Sequence, residues 1–323
     1  MNPFGTFISA TTDYGIKRIF GQEGCEYVTA NFLSDVLDTP DRIEEVKFLP
    51  QELLPGSPGE RLAIVDVRCV TGNGEQFIVE MQRNRQRYFK DRTVYYSTFP
   101  IVQQAQNGDA WQFHLDPVYC IGIVDFSFSE DGNYFSRIKL QNEQTNEVFF
   151  DKLTYIFLEL PKFNLSLSEI VTPRDRWMYF LKHLAEFDEI PSVFTESYLI
   201  QACEIALYAA LSPLERYAYE QDLKRARDSY AVYKTIEEEA LERGLERGLE
   251  QGLVRGREEG REEGERQAKQ EAILKLLLRR FDSVPESVIN TITSIQRLSD
   301  LDSLFDNALT AQTLEEIFME YDQ

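Results

Sequence analysis

Apolar and polar positions recur along this chain with two periods, and each change of period marks a change of element. Over residues 13–37 (DYGIKRIFGQEGCEYVTANFLSDVL), Val28, Phe32 and Val36, with Leu33 and Leu37 beside them, are spaced as on one helical face. IEEVKFL (43–49) reads as a short strand, and PQELLPGSPGE (50–60), with three prolines and two glycines, as a loop. RLAIVDVRCV (61–70) and EQFIVEMQ (75–82) are rich in β-formers and flank TGNG, which predicts a hairpin. From about 84 to 106 the pattern is helical, with Pro100 as a kink point. PVYCIGIVDFSF (117–128) and DKLTYIFLEL (151–160) are nearly continuous apolar runs, as expected of buried strands. Helix, strand, hairpin, helix, strand is an α/β order. Beyond Pro161 the pattern is all helical, opening on the Thr172-Pro173 start signal and continuing across 196–234.

The hairpin register follows from arithmetic, because side chains alternate faces with period two. If Asp66 lies opposite Glu80, Cys69 faces Phe77 and Thr71 faces Glu75, leaving Gly72, Asn73 and Gly74 as a three-residue loop with glycine available for the left-handed position. That register places Asp66, Glu80 and Gln82 on one face and Val65, Val67, Val79 and Met81 on the other.

The segment 237–266 changes character. Gly244, Gly248, Gly252, Gly256, Gly260 and Gly264 recur every fourth residue among charged side chains. Each costs a helix about 1 kcal/mol relative to Ala. Two readings stay open: a close helix crossing between copies, with Leu241, Leu245, Leu249 and Leu253 alongside, or a solvated connector. Three regions are therefore expected: an N-terminal domain over 1–235, with its core at about 9–165 and a helical extension to 235; a charged helical linker over 236–266; and a small helical module over 267–323.

Composition narrows the chemistry. The 323 residues are 43% hydrophobic and 12% aromatic, enough for a sizeable core. No apolar run is long enough to span a bilayer, and the N-terminus has no signal-peptide pattern, so a cytoplasmic protein without membrane contact is expected. Two histidines and four dispersed cysteines argue against a His/Cys zinc site or a His-based triad, so a catalytic metal needs oxygen ligands. The net charge of -21 opposes nucleic acid as a global field, but residues 83–92 hold five basic residues against one acid.

That local block follows the paired strand acids directly. Phosphodiester hydrolysis needs a divalent cation held by oxygens, an activated water and neutralisation of phosphate charge. Asp66 and Glu80, opposed on neighbouring strands, form such a cradle, with the Met81 backbone carbonyl as a further oxygen and Glu23, in the first helical segment, as an outer ligand or water holder. If 83–94 is helical, Arg83, Arg87 and Lys90 share one stripe, with Arg92, Tyr95 and Tyr96 close by, as a local phosphate-binding patch.

At these residues the chain resembles the Rpn family of recombination-promoting nucleases, also described as PD-(D/E)XK nuclease family transposases. The resemblance runs over about 9–165 through TDYGIKRIFGQE, NFLSDVL, AIVDVRC, FIVEMQ, FKDRTVYY and PVYCIGIVDFSF in that order. It implies a restriction-endonuclease-like α/β core, a central mixed sheet flanked by helices with an all-helical C-terminal region after it. It also implies magnesium-dependent DNA cleavage linked to recombination, with manganese as a substitute. The family's metal-binding aspartate falls on Asp66, its E-x-Q motif on Glu80 and Gln82, and its early acid on Glu23. Lys17 matches the family's opening block as structural support. Val65 replaces a proline common in the wider superfamily, and Gln82 stands where many members carry a water-activating lysine, with Lys90 or Arg92 as substitutes. The alternative function is a non-catalytic nuclease fold that binds DNA or protein and self-associates through the glycine-repeat helix.

Overall fold

In the computed structural model, residues 5–53, 63–105 and 112–318 are described, and the expectations for most of the 50–60 loop and for the first two residues of the 61–70 strand lie outside them. The chain divides into two units, Met1–Tyr233 and Lys234–Gln323.

Chain order in the first unit begins with α1 (Asp13–Phe20) and α2 (Glu26–Leu37), followed by the strands β1 (Val46–Phe48), β2 (Glu52–Leu53), β3 (Ala63–Ile64), β4 (Val67–Thr71) and β5 (Gln76–Gln82). After α3 (Phe89–Gln103) come β6 (Val118–Val124), β7 (Phe135–Gln141) and β8 (Val148–Glu159), and then α4 (Pro173–His183), α5 (Ser197–Ile205) and the start of α6 (Pro213–Phe281). Six strands form one sheet in the order β1-β4-β5-β6-β8-β7, with β6 parallel to β5 and β8 and the other pairs antiparallel. The sheet is thus mixed and flanked by helices, as the α/β reading requires. Strand β7 has no counterpart in the sequence pattern. It is an edge strand with mostly exposed side chains, held by its pairing with β8, so it carries no apolar signature.

Val67, Cys69, Phe77 and Val79 pack on one sheet face into a core shared with α1, α2, α4 and α5. On the other face Ile78, Val118 and Cys120 meet Tyr96 and Phe99 of α3. The hairpin has the expected register, Val67 opposite Val79 and Cys69 opposite Phe77. Its loop closes through Thr71 N–H to Glu75 O (3.0 Å) and Gly74 N–H to Thr71 O (3.0 Å), with Gly74 at φ 86°, where a side chain would be strained.

Two local expectations need correction. Val65 does not share a face with Val67; it packs with Ile78, Leu53 and Ala63 on the α3 side. The strand breaks at Val65–Asp66 because the chain bends there to leave β5, and Val65 N–H bonds Gln51 O (3.0 Å) beside the small β2–β3 pair. The helix expected from 84 starts only at Phe89, whose ring seats against Phe126, Phe128 and Phe157, and it then runs through Pro100 unbroken. Residues 83–88 therefore lie outside the helix in an irregular segment, and Arg83, Arg87 and Lys90 share no helical stripe.

Helix α1 sits close against the chain before it. Thr12 caps it, its hydroxyl accepting Gly15 N–H (2.9 Å) and donating to Ser9 O (3.1 Å). A Cβ at Gly15 would lie 1.9 Å from Ser9 O, so no side chain fits without displacing the helix. Gly15→Ala is expected to cost about 1–3 kcal/mol or more, read from the denaturation midpoint; an unchanged midpoint would show that α1 shifts freely.

In the second unit α7 (Glu286–Ser294), α8 (Leu298–Thr310) and α9 (Leu314–Phe318) bury Ile292, Leu301, Leu304 and Ile317 with Ile273 and Leu277 of α6. The glycine repeat is helical within α6, and a Cβ at any of its six glycines would meet nothing within 4 Å. Among the described residues no helix is long and apolar enough to cross a membrane.

Candidate active site

The break before β4 creates the site. The β4–β5 ladder ends at Val67–Val79, so the backbone N–H groups of Asp66 and Met81 lack the strand partners that a longer ladder would provide. Each is satisfied by a carboxylate instead. Met81 N–H donates to Asp66 Oδ2 (2.8 Å), and Asp66 N–H donates to Glu80 Oε1 (3.1 Å). This reciprocal pair holds both acids in fixed positions at the end of two adjacent strands.

Helices close on the pair from both sides. From α1, Lys17 Nζ lies 3.6 Å from Asp66 Oδ1 and 3.0 Å from Asp13 Oδ2, and Asp13 hydrogen-bonds Asp66 directly. From α3, Arg92 lies 3.8 Å from Glu80 Oε2 and bonds Gln82 Oε1, while its other nitrogen bonds Gln86 Oε1 (3.0 Å). Ile78, Phe89, Cys120 and Ile121 form an apolar recess beside Glu80.

Burial in this setting disfavours charge. It pushes Asp66 up to about 8, helped by the Glu80 charge and the Asp13 contact and opposed by the Met81 N–H. Burial likewise raises Glu80 to about 7, against the pull of Arg92, the Asp66 N–H and Lys17. Burial also works to raise Asp13, but its hydrogen bonds from Asp66 and Lys17 and the Lys17 charge bring it below the ordinary carboxylate value. Lys17 is raised: its two acid neighbours outweigh its own burial. The site therefore holds more buried carboxylate than its local cations neutralise.

The remaining residues expected at the site are distributed unevenly. Gln82 is buried, with Oε1 taken by Arg92 and Nε2 donating to Asn84 O (3.1 Å), so both ends of its amide are engaged within the protein. Of the two cations considered as substitutes for a lysine at that position, the structure brings Arg92 to the pair. Lys90 instead lies over the Phe128 ring at 5.7 Å, and Arg87 over Tyr88 at 5.4 Å. Arg83 is half-buried, and its Nη1 has no hydrogen-bond partner. Glu23 is not helical: it is exposed in the turn between α1 and α2, because α1 ends at Phe20 and Gly21 takes the cap. The acid that α1 delivers to Asp66 is Asp13. The acid and base four apart in DYGIK are the available signal for it, but only packing shows which strand residue they meet.

The donor set fits a hard divalent cation. Asp66 and Glu80 supply carboxylate oxygens and the Met81 carbonyl is adjacent in sequence, and their excess of buried acid is what a cation would neutralise. Among the described residues no group of three or more His, Cys, Asp or Glu side chains is arranged to hold a metal ion.

The family described as PD-(D/E)XK nuclease family transposase matches the chain over residues 10–236. That span covers the mixed sheet, both flanking helices of the site and the first turns of α6. No curated protein and no solved structure matched the chain.

Proposed function

The chain belongs to the PD-(D/E)XK nuclease family transposases, and from that premise we propose that it is a magnesium-dependent DNA endonuclease acting in recombination or transposition. The observation that carries the reading is that Met81 N–H holds the Asp66 carboxylate and Asp66 N–H holds the Glu80 carboxylate, which fixes two acids side by side as a phosphodiesterase needs them. Asp66, Glu80 and the Met81 carbonyl would hold the cation, with manganese able to replace magnesium. Bound there, it supplies a water of lowered pKa and offsets charge on the phosphate.

The protein's own groups do the rest. Arg92 presents its guanidinium beside Glu80, where it can meet non-bridging phosphate oxygens. Gln82 and Gln86 hold Arg92 in place, so Gln82 acts as a positioning residue. Lys17 brings a second cation to Asp66, and Asp13 steadies it. The test is cleavage of supercoiled plasmid in Mg²⁺ or Mn²⁺ against a chelator control. Nicking or linearisation that needs the metal is expected; folded protein inert in both metals overturns the reading.

A second reading rests on the exposed leucines of the glycine repeat. Leu241, Leu245, Leu249 and Leu253 are 56–74% exposed on successive turns of α6, a stripe suited to a second copy of the same helix. A nuclease fold that binds DNA or protein and self-associates there is its fullest form. Sedimentation of the full chain is expected to show an oligomer that Leu245→Asp with Leu249→Asp dissociates; a monomeric full chain excludes it.

A further inference from the structure

Beside the carboxylate pair lies a recess of about 220 Å³ that the acids do not use, lined by Thr11, Met81, Arg83, Asn84, Arg225 and Ser229. All of its residues belong to the first unit. One wall is therefore the early part of α6, far along the chain from the hairpin, and that wall is anchored. Tyr219 is 1% exposed and its hydroxyl accepts Ser9 N–H (3.0 Å). Asp222 Oδ2 accepts Tyr14 N–H (2.8 Å), and Glu215 pairs with Arg18 (2.5 Å). Arg225 follows Asp222 by three residues on the same helical side, and Ser229 follows Arg225 by four.

The recess is equipped to bind an anion. Arg225 makes no ion pair among the described residues. Arg83 has a buried Nη1 without a hydrogen-bond partner, which is costly unless an acceptor meets it. Thr11, Asn84 and Ser229 add neutral donors. Two acids also line the recess, and both are engaged, Asp13 by Lys17 and Asp66, and Asp222 by Tyr14 N–H. Arg225 also lines the adjoining recess of about 410 Å³ with Lys17, Arg18 and Gln22, so its charge overlooks both sides of Asp13.

We propose that this recess holds a DNA backbone phosphate neighbouring the one that is cut, gripped by Arg83 and Arg225, so that the first turns of α6 form part of the DNA-binding cleft. The assignment rests on the nuclease reading and adds to it a residue outside the hairpin and α3. It makes Arg225 a binding residue that acts on affinity independently of base sequence.

The experiment is anisotropy of a short fluorescein-labelled duplex with the full chain in Ca²⁺ across a salt series. Arg225→Ala and Arg83→Ala are each expected to weaken binding about 3- to 10-fold and to reduce the slope of log affinity against log salt by about 1. Arg225→Lys should restore part of the affinity. Lys224→Ala removes the same charge from a position that lines neither recess and should leave the slope unchanged. Matched melting curves exclude unfolding as the cause. Wild-type affinity and slope in Arg225→Ala, or an equal loss in Lys224→Ala, overturns the proposal while plasmid cleavage by the wild type keeps the nuclease reading intact. Wild-type protein that neither binds nor cuts DNA overturns both.

Discussion

Asp66→Asn and Glu80→Gln are each expected to lower metal-dependent cleavage by about 10³-fold or more while making the metal-free protein more stable, by about 1–3 kcal/mol. The two effects have one cause. An asparagine amide in place of the Asp66 carboxylate keeps an oxygen to accept Met81 N–H, and a glutamine amide in place of the Glu80 carboxylate keeps one for Asp66 N–H, so the local hydrogen bonds survive. What disappears is a buried acid whose ionisation burial opposes, so that unfolding no longer gains by releasing its proton, together with a ligand that a cation needs. Plasmid cleavage and thermal melting of the same preparations read both quantities. A variant that is inactive but also strongly destabilised marks a structural pair instead, and one that remains active removes its residue from the site.

Metal affinity is expected to rise steeply with pH, by about 10- to 100-fold per pH unit below pH 7, levelling off above about pH 8. The sign follows from the direction of the shifts. Glu80 and Asp66 are raised by burial to about 7 and about 8, so near neutrality the metal-free site retains protons that a cation must displace. Without metal, the same shifts work against stability as pH rises. Their favourable contribution is complete below the unfolded-state carboxylate pKa of about 4 and is lost as pH climbs through the raised values. Calorimetric titration with Mn²⁺ in buffers of different ionisation enthalpy measures the released protons, expected at about one to two per cation by that linkage. Arg92→Ala should move the dependence to higher pH, because Arg92 favours the charged form of Glu80. Affinity that is flat between pH 6 and 8 would show that both acids are already ionised.

Much of the hairpin was legible because its constraints are local. A three-residue loop and period-two alternation determine which residues oppose each other, and Val67–Val79 and Cys69–Phe77 pair accordingly. The buried strand Val118–Val124 and the buried second half of Val148–Glu159 were legible for a similar reason, since strand segments covered on both faces are largely apolar. The start of α3 was not. Basic residues at 83–87 suit a helix surface, but Phe89 decides where the helix begins by entering a cluster of rings from later strands. Val65 followed alternation only until the bend at Asp66 reversed its face.

The sequence by itself determined the family, the α/β order and the pairing of Asp66 with Glu80, since these depend on motifs and spacings a few residues long. Tertiary structure alone decided the company those acids keep: Asp13 rather than Glu23, and Arg92 rather than Lys90. Such neighbours are chosen by how helices pack across a sheet, and packing joins residues that no local period relates.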